Sequence, residues 1–180
     1  MKRHSFLAGA VTIGLALPGF LVGAPTAVHA QSVASGQTGG SVAFVRDAGQ
    51  AGLFEAQSGR LALERSQHAG VRGYAAQSVK GASDMLDRVK FINQSNVAAP
   101  MPDALSNADQ AELDRMARLG GADFDRAYIQ SQVETSRILA SMFHAYGATG
   151  ESETMRLYAA ETATAYENQE TLARTVMGSL

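Results

Sequence analysis

From residue 41 onward, apolar side chains recur every three or four positions, which is the spacing of one face of an α-helix. No stretch alternates apolar and polar residues as a half-buried strand does. Pro100 and Pro102 interrupt the helical pattern, so residues 97–106 are predicted to form a loop. The pattern predicts five helices, at residues 42–65, 69–94, 107–119, 123–146 and 151–177.

Capping residues mark several of these boundaries. Ser106 followed by Asp109 is typical of a helix start. Gly120 and Gly121 are expected to end the short third helix, and the segment 147–150, with a glycine at each end, to separate the last two.

Each of the four long helices carries one stripe that should face inward, which is typical of a four-helix bundle. A domain of this size buries about 70% of its chain surface, which is enough to stabilise it without disulfides. The loop and the short helix allow a long crossover between the second and fourth helices. The stripes are Phe44, Ala48, Ala51, Glu55, Ser58 and Ala62; Val71, Ala75, Ser78, Ala82, Met85, Val89 and Ile92; Phe124, Tyr128, Ser131, Thr135, Ile138 and Met142, with Gln132, Ser136, Leu139, Phe143 and Tyr146 beside them; and Met155, Tyr158, Thr162, Ala165, Gln169, Leu172 and Val176.

These stripes contain polar residues that a purely apolar core would not include. Glu55, Thr135, Ser136, Thr162 and Gln169 lie on or beside them. An unpaired buried polar group costs about 1–3 kcal/mol, so we expect these side chains to be paired. Helical bundles also place metal and cofactor ligands at this level of the core, which leaves two interpretations open.

The first 30 residues differ from the rest of the chain. Lys2 and Arg3 precede an apolar run that Pro18 interrupts, and Val28-His29-Ala30 is typical of a signal-peptidase site. We therefore expect a cleaved signal peptide at residues 1–30 rather than a retained membrane anchor. Residues 31–40 are rich in Ser, Gly and Gln and are expected to be a flexible leader, so the bundle domain occupies residues 41–180.

Composition excludes several classes of function. The chain has no cysteine, which excludes disulfides, thiolate metal sites and cysteine nucleophiles. Its net charge is −2, or −4 without the signal peptide, and a protein with no basic excess is not expected to bind nucleic acid.

Four segments, in their order along the chain, resemble a bacterial exported family. Over residues 42–173 the sequence is similar to domain of unknown function 4142 (DUF4142), and the resemblance implies a ferritin-like four-helix bundle. Its members are often described as membrane or outer-membrane proteins, and no activity is established for them. The segments are Glu55 with Gly59, Leu61 and Ala62; Val71-Arg72-Gly73-Tyr74-Ala75; Gly120-Gly121-Ala122-Asp123-Phe124-Asp125-Arg126-Ala127-Tyr128; and Leu157-Tyr158-Ala159-Ala160.

The departures from this family concern a possible metal centre. The resemblance implies three histidines that could bind a metal together with the first-helix glutamate. In this chain Ala82, Ser136 and Gln169 occupy the three histidine positions, Gly81 replaces an acidic residue, and only Glu55 matches. One carboxylate with neutral oxygens makes a poor transition-metal site.

Glu55 is the residue that is hardest to explain as surface. It is either a metal ligand or proton-binding group, or a structural glutamate hydrogen-bonded to Gln169, Tyr158 or a water. His68 lies past the predicted end of the first helix, and His144 is expected to interact with a helix C-terminus rather than with a metal. Nucleophile elbows and phosphate-binding loops are absent from the sequence.

Together these patterns predict an exported, periplasmic or envelope-associated bundle without catalytic residues, metal or cofactor, acting through an unidentified envelope protein or small ligand. No membrane span is expected after signal cleavage, and the sequence does not determine the oligomeric state. The first alternative is a divergent metal-binding or oxidant-handling protein that uses Glu55. The second is a carrier of a small apolar ligand or lipid, with a cavity beside Ala48, Ala75, Ala82 and Ala165.

Overall fold

The computed structural model describes residues 40–180, which form five α-helices. The predicted signal peptide and residues 31–39 of the predicted leader lie outside this range. The helices are α1 (Ser41–Arg65), α2 (Ala69–Asn96), α3 (Asn107–Ala117), α4 (Gly121–Thr149) and α5 (Glu153–Met177). The predicted all-α class is confirmed for the described residues. None of their helices combines the length and the apolar character that crossing a membrane requires.

The four long helices form a bundle in which neighbours are antiparallel. α1 packs mainly on α2, and α4 mainly on α5, while α1–α4 and α2–α5 contacts close the ring. α2 and α4 therefore lie on a diagonal, and the connection between them must travel the length of the bundle. The loop at residues 97–106 and α3 make this crossover, with α3 packed on α1 and α4.

Side-chain caps mark the starts of three helices, α2, α3 and α5. The Ser106 hydroxyl accepts from the Asp109 backbone N–H at 3.1 Å, as its sequence position predicts. His68 precedes α2, and its Nδ1 accepts from the Val71 N–H at 3.4 Å. The predicted break at residues 147–150 is misplaced, because α4 continues through Gly147 to Thr149 and only Gly150 to Ser152 connect it to α5.

The predicted stripes of α1 and α2 are buried throughout, whereas the stripe of α5 is wrong in its rotation. Ala165 is exposed, and Tyr158, Thr162, Gln169 and Leu172 are only partly buried. The buried line is instead Met155, Ala159, Ala163, Tyr166, Ala173 and Val176. On α4 the inner line is the one that includes Gln132, Ser136, Leu139 and Phe143, while Ser131, Ile138 and Met142 are partly buried.

Small residues explain how close α5 lies to α4. A Cβ atom built on Gly147 would lie 3.0 Å from both the backbone N and the Cα of Ala160. Ala159 and Ala163, on the buried side of α5, also permit this approach, because larger side chains would hold the two backbones apart.

We predict that Gly147→Ala destabilises the protein by about 1–3 kcal/mol, because the added methyl group presses on backbone that cannot rotate away. The matched control is Gly73→Ala on α2, where a Cβ meets nothing within 4 Å. Gly73→Ala should stabilise the helix by up to about 1 kcal/mol. Urea unfolding measures both changes, and a Gly147→Ala variant that is as stable as Gly73→Ala would contradict the close packing.

Candidate functional site

Glu55 lies in the middle of α1 with none of its surface exposed to solvent. Glycines on both sides bring α2 close at this level. A Cβ on Gly52 would lie 2.6 Å from the Met85 methyl group, and one on Gly59 would lie 2.6 Å from Val79 Cγ2. The carboxylate is thus enclosed by the bundle.

Both carboxylate oxygens of Glu55 accept hydrogen bonds from neutral donors. Oε1 accepts from the Ser78 hydroxyl on α2 at 3.2 Å and from the side-chain amide of Gln169 on α5. Oε2 accepts from the Tyr166 hydroxyl, also on α5, at 3.1 Å. Hydrogen bonds to a carboxylate offset the cost of removing it from water, so these three donors make its burial tolerable.

A second tier of hydrogen bonds connects this group to α4. Gln132 Nε2 donates to the Ser58 hydroxyl at 3.1 Å, and Gln132 Oε1 lies 3.3 Å from the Ser78 hydroxyl. The single Ser78 proton therefore lies between two acceptors, Glu55 Oε1 and Gln132 Oε1. The network joins all four long helices.

One more pair of hydroxyl groups lies at the same height in the bundle as Glu55. The Ser136 hydroxyl lies 3.4 Å from the Tyr74 hydroxyl. We call the whole set the polar layer: Glu55, Ser58, Tyr74, Ser78, Gln132, Ser136, Tyr166 and Gln169. It lies where two apolar clusters meet, one containing Phe44, Val89 and Phe143 and the other Phe54, Val71 and Phe124.

The tyrosines around Glu55 are held in their neutral form. Burial, and then the charge of Glu55, raise the pKa of Tyr166 well above its ordinary value. The same two causes raise the pKa of Tyr74. Burial raises the pKa of Tyr128 strongly, with smaller contributions from Tyr74 and Glu55. The Tyr128 hydroxyl lies next to Ser78, but the contact does not meet ordinary hydrogen-bond geometry. These phenols are not anions at neutral pH, and Tyr166 can therefore donate to Glu55.

The four residues singled out from the sequence have different positions at this level. Gln169 contacts Glu55 directly, and Ser136 contacts Tyr74. Ala82 is buried on α2, one turn beyond Ser78, and makes no side-chain hydrogen bond. A Cβ on the adjacent Gly81 would lie 3.9 Å from Gln169 Oε1, so this part of α2 faces Gln169.

The structure corrects one expected partner and adds others. Tyr158 is not bonded to Glu55; Tyr166 is, because α5 is rotated relative to its predicted stripe. Tyr166 is three residues before Gln169, so the spacing along one helix face could have identified it. Ser58, Ser78 and Gln132 lay on or beside predicted stripes without being recognised as partners.

The two histidines of the described chain lie outside the polar layer. His68 caps α2, and His144, which lies before the last turn of α4, is exposed with Nε2 2.7 Å from Glu167 Oε1. Within residues 40–180, no group of three or more His, Cys, Asp or Glu side chains is arranged to hold a metal ion.

A comparison with known protein families shows which family this chain belongs to. The model of a domain of unknown function, DUF4142, matches residues 25–176. The chain belongs to the DUF4142 family. The resemblance seen in the sequence is thereby confirmed. No curated protein matches this DUF4142 chain.

A solved structure supports the fold. A DUF305 fragment from Deinococcus radiodurans is similar, with a TM-score of 0.69 and 16% identity. The match covers 78% of this chain and 96% of that one. At this identity the similarity concerns the helical fold alone.

Proposed function

We propose that this DUF4142 protein is an exported, periplasmic or envelope-associated bundle with a non-catalytic binding or structural role. In this proposal the polar layer is a structural element that occupies the level of the metal-binding histidines suggested by the family resemblance. The supporting observation is that neutral donors from α2 and α5 occupy both Glu55 carboxylate oxygens. A metal at Glu55 would have to displace those donors and would find no imidazole in the layer.

The alternative of an apolar-ligand carrier with an internal cavity has less support than the structural role. Ala165, one of the four small residues expected to line an internal cavity, is exposed on α5. Ala48, Ala75 and Ala82 are buried in the packed core.

The proposed loss of a metal centre is tested by restoring the histidines. The wild-type protein should contain far less than one equivalent of zinc or cobalt after purification. The variant combining Ala82→His, Ser136→His and Gln169→His should gain about 3 kcal/mol of stability when metal is present at a hundredfold excess over its dissociation constant. Calorimetry of each protein with and without zinc makes the comparison, because Ala82→His alone costs about 1–3 kcal/mol by overpacking.

Glu55→Gln in the triple variant is the control for the carboxylate, and it should weaken the zinc-dependent gain. Stoichiometric metal in the wild-type protein would contradict the proposal and favour a metal-handling function. A folded triple variant that responds to zinc no more than wild type would mean that the three positions do not converge.

Export gives a second test. When the full chain is expressed with its own N-terminus in a bacterial host with a periplasm, the released protein should begin at Gln31, because the Val28-His29-Ala30 site precedes it. Intact-mass analysis of the periplasmic fraction measures this. Protein that retains residues 1–30, or that stays in the cytoplasm, would contradict export by cleavage.

A further inference from the structure

A second site lies between the crossover loop and α2, apart from the polar layer. It is a cleft of about 480 Å³. This volume is within the range of small-molecule sites, roughly 300–1,000 Å³. Its apolar walls come from Leu53 on α1, Leu86 on α2, and Met101 and Pro102 on the loop. None of its lining residues belongs to the polar layer, so the site does not depend on the role proposed for Glu55.

Hydrogen bonds at both ends of the loop preform this cleft. The Asn93 side chain donates to the Ala99 carbonyl at 2.8 Å and accepts from the Ala99 N–H at 2.9 Å. Gln50 does the same at the other end, donating to the Ala104 carbonyl at 3.0 Å and accepting from the Ser106 N–H at 2.8 Å. A loop held at both ends presents its binding groups with a smaller ordering cost on association.

Close packing against α1 fixes the middle of the loop. A Cβ on Gly49 would lie 2.7 Å from two ring carbons of Pro102. Met101 and Pro102, which form one wall of the cleft, therefore pack directly on α1.

Three charged side chains line the cleft without partners of their own. Asp87 and Lys90 on α2 and Asp103 on the loop make no hydrogen bond or ion pair within the described part of the chain. Asp87 and Lys90 are three residues apart on a helix, where opposite charges largely offset each other. Asp103 leaves a net negative charge on a cleft with apolar walls.

We propose that this cleft binds a small organic monocation with an apolar body, such as an amine or ammonium compound. Leu53, Leu86, Met101 and Pro102 would cover the apolar part, and the cationic group would lie toward Asp103. Charge complementarity selects the sign of the ligand, and the volume selects its size.

Three probes of similar size test the proposal: 2-phenylethylammonium, neutral 2-phenylethanol and anionic 3-phenylpropanoate. The purified protein is titrated with each probe while backbone amide shifts are followed by NMR. The cation should bind several-fold more tightly than the other two and should shift the amides of Lys90, Ala99 and Asp103.

Two charge variants should change cation binding in opposite directions. Asp103→Asn should weaken cation binding by about three- to fivefold, the effect of one exposed ion pair, and Lys90→Gln should strengthen it by a similar factor. Neither change should alter binding of the neutral probe. Glu161→Gln, an exposed acid on α5, is the matched control and should change nothing. Equal binding of the neutral probe, preference for the anion, or shifts that avoid the cleft would overturn the proposal.

Discussion

Replacement of Glu55 by alanine is expected to destabilise the protein by about 2–5 kcal/mol. The change deprives Tyr166 and Gln169 of their acceptor, leaves Ser78 with Gln132 alone, and leaves a cavity where four helices meet. Each buried donor left unsatisfied costs about 1–3 kcal/mol, although local relaxation recovers part of the sum. Urea unfolding at neutral pH measures the loss as a shift of the midpoint.

Two further variants distinguish the effect of the lost hydrogen bonds on stability from the effect of the lost side-chain volume. Glu55→Gln keeps the size and one acceptor oxygen, so it should cost less than Glu55→Ala. Glu64→Ala, an exposed acid on the same helix, should stay within about 0.5 kcal/mol of wild type.

A double-mutant cycle then tests the contact itself. Tyr166→Phe removes one donor, so combining it with Glu55→Ala should cost less than the sum of the single changes, by about 0.5–3 kcal/mol. If Glu55→Ala unfolds at the wild-type midpoint, or if the two changes are additive, the carboxylate does not organise the core.

Stability is expected to fall steeply above pH 10. The pKa values of Tyr74, Tyr128 and Tyr166 are raised in the folded protein, chiefly by burial. Unfolded tyrosines ionise near pH 10, so above that pH the unfolded chain binds fewer protons than the folded one. The contribution is therefore fully present below pH 10 and is lost as pH rises toward the folded pKa values. Each such tyrosine contributes about 1.4 kcal/mol per pH unit, or about 4 kcal/mol per unit for three.

Unfolding in urea between pH 8 and pH 11 checks this slope. Tyr166→Phe should reduce this slope by about a quarter to a third, because one of the three phenols with strongly raised pKa values is gone, while Tyr158, whose pKa burial also raises, still contributes. Phenolate absorbance in the folded protein should report fewer ionised tyrosines at pH 11 than in urea. Stability that is constant up to pH 11, or complete ionisation of the folded tyrosines near pH 10, would contradict the prediction.

The sequence alone determined the elements that depend on local patterns. Apolar spacing located five helices to within a few residues, Pro100 and Pro102 marked the loop, and Ser106 marked the start of α3. The same spacing placed Glu55 on the inner face of α1, where the structure buries it completely. These features were predictable because helix periodicity and capping involve residues only a few positions apart.

Only the tertiary structure decided which side chains meet. α5 is rotated relative to its predicted stripe, so that Ala159, Ala163 and Tyr166 face the core, whereas Thr162 is only partly buried and Ala165 is exposed. That rotation makes Tyr166, and not Tyr158, the partner of Glu55. A helix fixes the relative positions of its own residues, but its rotation about its axis and its distance from a neighbour are set by the packing of both surfaces, which no single segment encodes.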